Sequence, residues 1–427
     1  MNTDTVLIEV PYGTKKLSCT VPAERTVRVL RPAPPPEAGA WELDIIKQAL
    51  SAPIASPPLA VLARGKKNIV ILTSDHTRPV PSHLTLPAML EEIRRGSTEA
   101  KITILIGTGC HRATTREEIE KKFGAEIVLK EIIINHNSED PSSLVSLGRL
   151  PSGGELVINR LAAEADLLVA DGFIEPHQFA GFSGGRKSVL PGIASFTTVL
   201  ASHNAEFTVH PKSRPGSLDG NLIHEDMLYA ARQAKLAFIL NVALSPAKRV
   251  IAAFAGDMEK AHRVGCDFVL KHCGVKSPVG PIVITSNGGY PLDQNIYQST
   301  KSIMQADLVC EEKGVIISVN ECRDGHGSSS FYRIFKESPS LDELLEEIEK
   351  RGREETVPDQ WVIQLTAMIL RKRTVIFVSS AAPEIITSLH MRHAAGLEEA
   401  LTMADGIIGR KNAPITVLPN AVSLVLQ

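Results

Sequence analysis

The sequence predicts an α/β protein of two domains, with mostly parallel sheets and an active site in the cleft between them. Three observations lead there. Short apolar runs alternate with helical stretches along most of the 427 residues, the pattern of parallel sheets with crossover helices. That length corresponds to about two or three domains. The chemically capable residues collect just after the apolar runs, and open parallel sheets bind ligands outside the carboxyl ends of their strands.

Near the start, "TVLIEV" and "KKLSCTV" flank "PYGT" and predict a hairpin. "RPAPPPEAG" is a proline-rich connector, a loop rather than a recognition ligand. "KNIVILTSD" is a nearly continuous apolar run, as a strand buried on both faces requires. Helix "PAMLEEIRR", strand "KITILIGTG" and helix "TTREEIEKKFG" follow. Thr114 with Glu117 and Thr115 with Glu118 both fit a capping box at the start of that last helix. Strands "EIIINHN", "ADLLVADGF" and "LAFILNVAL" and helix "DMEKAHRVGCDFVLKH" complete a first unit. "SPVGP" near Ser277 reads as a linker. Beyond it, strands "PIVITSNGG", "GVIISVNE" and "TVIFVSS" alternate with helices "DQNIYQSTKSIMQAD", "SLDELLEEIEKR" and "DQWVIQLTAMILRKR". The expected division is a cofactor-binding domain over 1–274 and a smaller domain over 275–409. The last apolar run, "ITVLPNA", is expected to carry 410–427 back to the first domain.

Composition narrows the function. Hydrophobic residues make up 43% and charged residues 22%, enough for a large core. A net charge of −2 gives no broad field for nucleic acid or a membrane surface. No apolar run approaches the ~18 residues of a membrane span, and "MNTDTVLIEVPYG" lacks the features of a signal peptide. The six cysteines are scattered without a C-x-x-C pair, which favours reduced thiols in a cytoplasmic protein over a disulfide framework or a zinc site.

Four loops at strand ends carry the chemistry. "TSDHTRP" supplies Asp75, Thr77 and Arg78, and "GTGCHR" supplies His111. "DGFIEPHQFAGFSGGRKS" supplies Glu175, His177 and Lys187, and "SNGGYPLDQNIYQSTK" supplies Tyr297, Gln298 and Lys301. Any one histidine or arginine in a loop is more often a satisfied turn residue; four loops converging on one sheet edge reverse that balance. Arg78 offers a planar fork for a carboxylate or phosphate. His111 and His177 suit acid–base work near neutral pH. Tyr297, Gln298 and Lys301 can line one side of a helix. "GFSGGRKSVLPG" resembles a phosphate loop, but Arg186 stands where a P-loop needs glycine. Lys187 then has two readings: a point charge for phosphate, or a nucleophilic amine that links covalently to a carbonyl-type group.

With those residues in place, the chain resembles the nickel-pincer lactate racemase family almost end to end. The motifs that carry the resemblance are "DHTRP" (Asp75–Pro79), "GTGCHRATTREE" (Gly107–Glu118), "EPHQFAGFSGGRKSVLPGI" (Glu175–Ile193) and "YPLDQNIYQSTK" (Tyr290–Lys301). The resemblance implies a nickel-pincer nucleotide, a pyridinium mononucleotide that grips nickel through two sulfurs and a ring carbon, joined to Lys187 by a thioamide. It makes His203, in "ASHNAEF", the protein's nickel ligand; taken alone, His203 reads as a helix-surface residue. It assigns Asp75, His76, Thr77, Arg78 and Val189 to the nucleotide. Arg78, Gln298 and Lys301 hold the substrate carboxylate, and Tyr297 and Trp361 narrow its pocket. The implied reaction racemises a small 2-hydroxy acid, lactate foremost, through a planar keto acid formed by hydride removal, with His111 and His177 as the two bases. Separate cofactor-synthesis enzymes are implied as partners, and a homodimer is the candidate assembly. The alternatives are a non-catalytic nickel-pincer or nucleotide-binding protein, which needs no paired bases, and a P-loop phosphotransferase, which Arg186 argues against.

Overall fold

The computed structural model describes residues 4–33, 41–245 and 247–426. The proline-rich connector therefore lies, from Pro34 on, outside the described residues.

Two six-stranded sheets organise the chain. The first runs, in spatial order, Val250–Gly256, Leu236–Leu244, Leu167–Phe173, Asn68–Ser74, Lys101–Gly107 and Ile132–Asn135. All neighbours are parallel except the edge strand Val250–Gly256. The predicted both-face burial holds. Ile69 and Ile71 face one layer, with the helices Glu42–Ser51 and Ser82–Gly96. Val70 and Leu72 face the other, with helices Phe196–Ser202 and Leu222–Gln233. The chain builds outward from Asn68–Ser74 to one side, then returns to lay Leu167–Phe173 on its other side. The order reverses between these two strands, so a crevice opens at their carboxyl ends.

The second sheet runs Arg392–Ala394, Thr374–Val378, Cys310–Val319, Gly280–Thr285, Ile415–Leu418 and Val27–Val29, all parallel. Its reversal falls beside Gly280–Thr285, whose carboxyl end leads into helix Ile296–Asp307. Of the two candidate capping boxes, the one that forms pairs Thr115 with Glu118 at helix Arg116–Phe123.

The structure corrects the domain boundaries. Ile415–Leu418 does not return to the first sheet but slots between Gly280–Thr285 and Val27–Val29 in the second. Its four residues are all buried, as suits a strand paired on both sides. The N-terminal hairpin Thr5–Tyr12 with Lys15–Pro22 also belongs to the second domain. Its alternate residues Ile8, Val10, Cys19 and Val21 pack against Ile282, Ile284, Val315 and Ile317. The second domain is thus assembled from both ends of the chain and encloses the first in sequence. The short pair Gly274–Val275 with Val425–Leu426 ties the C-terminus to the crossing point.

Candidate active site

A cleft of about 280 Å³ lies at the carboxyl ends of both sheets. The first domain lines it with Asp75, Arg78, His111, His177, Lys187 and His203, and the second with Tyr297, Gln298, Lys301 and Trp361. The four loops therefore do converge.

His111 and Asp75 form a dyad. The ring Nδ1 of His111 lies 2.6 Å from a carboxylate oxygen of Asp75, which is buried. The other oxygen accepts from the Thr77 backbone N–H at 2.9 Å and its hydroxyl at 2.6 Å. Burial opposes ionisation of Asp75, but the hydrogen bonds from His111 and Thr77 outweigh it and hold its pKa at about 2. A permanent carboxylate on Nδ1 fixes the ring and leaves Nε2 for proton transfer. Both oxygens of Asp75 thus accept from the chain's own donors, and the residue expected on the nucleotide, while lining the cleft, also orients His111.

His177 lies on the short strand Pro176–His177, pairing with Gly181–Phe182. Its Nδ1 accepts from the Ala180 N–H at 3.3 Å, and its Nε2 is 3.4 Å from the Lys187 amine. Burial, then the charges of Lys187, Lys301 and Arg78, push the His177 pKa well below its usual value. Lys187 is driven down by burial and by Arg186 and Arg78, with Glu175 opposing. A depressed amine pKa keeps a lysine nucleophilic near neutral pH. Glu175 itself is directed to a neighbouring pocket that it shares with Lys248 and His272.

The lysine loop depends on close approach. Gly184 has φ 78°, and a Cβ there would meet the Asn241 side chain at 2.7 Å and the Phe173 carbonyl at 2.8 Å. The Gly185 N–H donates to Asn241 Oδ1 at 2.8 Å. Glycine thus lets the loop lie directly against two strand ends.

His203 follows helix Phe196–Ser202 and is buried, not on a surface. Its Nδ1 is 2.9 Å from the Val199 carbonyl. That carbonyl can only accept, so Nδ1 carries the proton and Nε2 keeps a free lone pair. A backbone carbonyl on one nitrogen is the usual support of a metal-binding imidazole. Burial holds its pKa at about 3, so the ring is neutral. The ring stands edge-on between Phe179 and Trp361, both 5.1 Å away by centroid. Among the described residues, no group of three or more His, Cys, Asp or Glu is placed to hold a metal, so a metal at His203 depends on donors from a bound group.

In the second domain, Asn295 caps helix Ile296–Asp307 by accepting the Gln298 N–H at 2.9 Å. Its first turn and a half presents Tyr297, Gln298, Thr300 and Lys301 to the cleft. Burial, then Arg78, bring the Lys301 pKa to about 8.

Three predicted residues lie elsewhere. His76 turns away toward Thr114, 3.2 Å from its hydroxyl. Thr77 is exposed and serves Asp75. Val189 is fully buried beneath the loop, packed in the core rather than lining the cleft. Sequence reasoning in turn missed Phe179 and Thr300, which line the cleft; an apolar ring and a mid-helix threonine carry no distinctive signal. All six cysteines are free, and among the described residues no helix is long and apolar enough to cross a membrane.

Comparisons with known proteins agree with this architecture. Residues 12–216 match the lactate racemase N-terminal domain and residues 275–426 the lactate racemase C-terminal domain. The chain is 50% identical over 426 residues to a lactate racemase of Thermoanaerobacterium thermosaccharolyticum, covering 98% of this chain and 99% of that one. It is 47% identical over 424 residues to the lactate racemase of Lactiplantibacillus plantarum, covering 99% and 100%. The apoprotein structure of the Thermoanaerobacterium enzyme superposes with a TM-score of 0.95 over 99% of this chain and 100% of that one. A Thermotoga maritima protein shares the fold at a TM-score of 0.65 and 19% identity, over 90% of this chain and 98% of that one. Two domain matches and two full-length relatives at about half identity leave one conclusion: the chain belongs to the lactate racemase family.

Proposed function

We propose that this protein is an isomerase that racemises lactate, using a nickel-pincer nucleotide held covalently on Lys187. The observation that carries the reading is the pairing, in one cleft, of two histidines with a low-pKa lysine and a neutral buried imidazole. The residues suit the group. Lys187 presents an amine to the cleft, His203 keeps Nε2 free for nickel, and Arg78 and Lys301 favour an anion. When bound, the nucleotide would supply a carbon that takes up and returns the substrate's α-hydride.

The chain's own residues do the rest. Arg78 and Lys301 bind the carboxylate, with Gln298 assisting, which fixes the α-carbon. His111 takes or returns the hydroxyl proton on one face, held in register by Asp75. His177 does so on the other, neutral because of burial and the surrounding cations. Trp361 and Tyr297 close the cleft around a short side chain. A storage protein needs neither base, so the paired histidines disfavour a non-catalytic role. The reading also includes a cytoplasmic location, cofactor delivery by separate synthesis enzymes, and a homodimer as the candidate assembly.

The test loads the protein with cofactor and screens chiral 2-hydroxy acids for loss of optical activity. Lactate is expected to racemise fastest; no racemisation of any acid by protein shown to carry nickel would refute the proposal.

A further inference from the structure

Arg186 is among the largest side chains in the protein to be fully buried. It has no salt bridge among the described residues, although buried charges are ordinarily paired. Its partners are carbonyl oxygens instead. Nη2 donates to Ala180 at 2.7 Å, and Nη1 to Phe182 at 2.9 Å, Gly184 at 3.2 Å and Ser183 at 3.4 Å. Nε donates to His224 Nδ1 at 2.9 Å. Nη1 also lies 3.0 Å from His262 Nε2, which is itself 2.8 Å from the Ser183 carbonyl. A phosphate loop gathers N–H groups around an anion. This loop is the electrical inverse, with four carbonyls gathered around a cation.

We infer that Arg186 is the positioning residue of the Lys187 amine: its guanidinium draws the carbonyls of residues 180 and 182–184 into the core, curls the loop, and turns the next side chain into the cleft. The inference rests on Lys187 as the reactive amine proposed above. It also explains why arginine occupies the place of the P-loop glycine. A planar fork spreads five donors over three nitrogens and so reaches carbonyls and His224 on different sides at once, whereas a lysine has three donors on a single nitrogen. Arg186 in addition places a fixed charge beside Lys187, whose other charged or titratable neighbours are Arg78, Glu175, Lys301, His177 and His203.

The test compares wild type, Arg186→Lys and Arg186→Gln as cofactor-free proteins. Amide hydrogen exchange of peptides spanning 178–190 reads the loop, and the pH profile of Lys187 acylation by acetic anhydride, with Lys67 as internal reference, reads the amine. In both variants exchange is expected to be at least about tenfold faster as the carbonyl cage opens, the global limit being full unfolding. The acylation midpoint is expected to rise in both variants, because burial is the first cause of its depression and an opened loop hydrates the amine, and to rise further, by about one pH unit, in Arg186→Gln, which also loses the charge. Wild-type exchange rates in Arg186→Lys overturn the inference, whether or not Arg186→Gln folds. An unchanged acylation midpoint in a folded Arg186→Gln also overturns it. Neither measurement involves cofactor, so a missing covalent adduct would remove the anchor reading and leave this result standing.

Discussion

The first-domain wall of the cleft is built from loops after three strands, together with the end of a short helix. It carries every group proposed to move a proton, anchor the cofactor or hold the metal: His111, His177, Lys187 and His203. The second-domain wall is the start of one helix plus Trp361, and it offers only groups that bind: Tyr297, Gln298, Lys301 and an indole. Loops can be bent to bring a dyad or a lysine to one point, at a cost in glycines and buried polar contacts. A helix start supplies side chains at a fixed spacing, which suits recognition of a small carboxylate. The division implies that substitutions on the first wall abolish chemistry, while those on the second rescale affinity and substrate choice.

The largest expected effect is on the first wall. Lys187→Ala should eliminate both covalent attachment and racemisation, and intact-mass measurement of loaded protein decides it; a retained adduct would place the anchor elsewhere. Next, His111→Ala and His177→Ala should each lower racemisation by about 10²–10⁴-fold. Each should still pass hydride from one enantiomer in a half-reaction, visible as keto acid from α-deuterated substrate of one hand. Identical responses to both hands would dissolve the two-base assignment. His203→Ala should retain markedly less nickel after gel filtration while keeping its circular dichroism spectrum, and equal retention would move the ligand.

Asp75 sharpens the comparison through pH. Its pKa is lowered from 3.8 to about 2 in the folded chain, so the stabilisation is fully present above about pH 4 and is lost as pH falls toward 2. It amounts to about 2 kcal/mol. Asp75→Asn should therefore be less stable than wild type by about that much at pH 5, with the gap closing below pH 4 in urea titrations. A constant gap across that range would contradict it.

The smallest effect belongs to the second wall. Trp361→Ala should shift relative turnover toward bulkier 2-hydroxy acids by about tenfold, the scale at which a pocket discriminates added methylenes. The Lys187 adduct should be untouched. Loss of the adduct would show that the two walls are not separable, as the contact of Trp361 with His203 makes worth testing.

How much of this the sequence determined follows from which interactions are local. Buried parallel strands must be apolar on both faces, so "NIVILTS" and "LLVADGF" announced themselves, and the rule that ligands sit at strand carboxyl ends drew Asp75, His111, Lys187 and Lys301 into one expected site. Capping at Thr115 and the hairpin around "PYGT" were legible for the same reason, since their partners lie within a few residues. Pairings between distant segments were not. The strand Ile415–Leu418 carries no label for which sheet takes it, and the open slot beside Gly280–Thr285 decided that. The burial of His203, the turning away of His76, the capture of Asp75 by His111 and the carbonyl cage of Arg186 are contacts made only after the loops close on one another. A side chain's type fixes what it can bond to; only the packed fold selects which of those bonds is made.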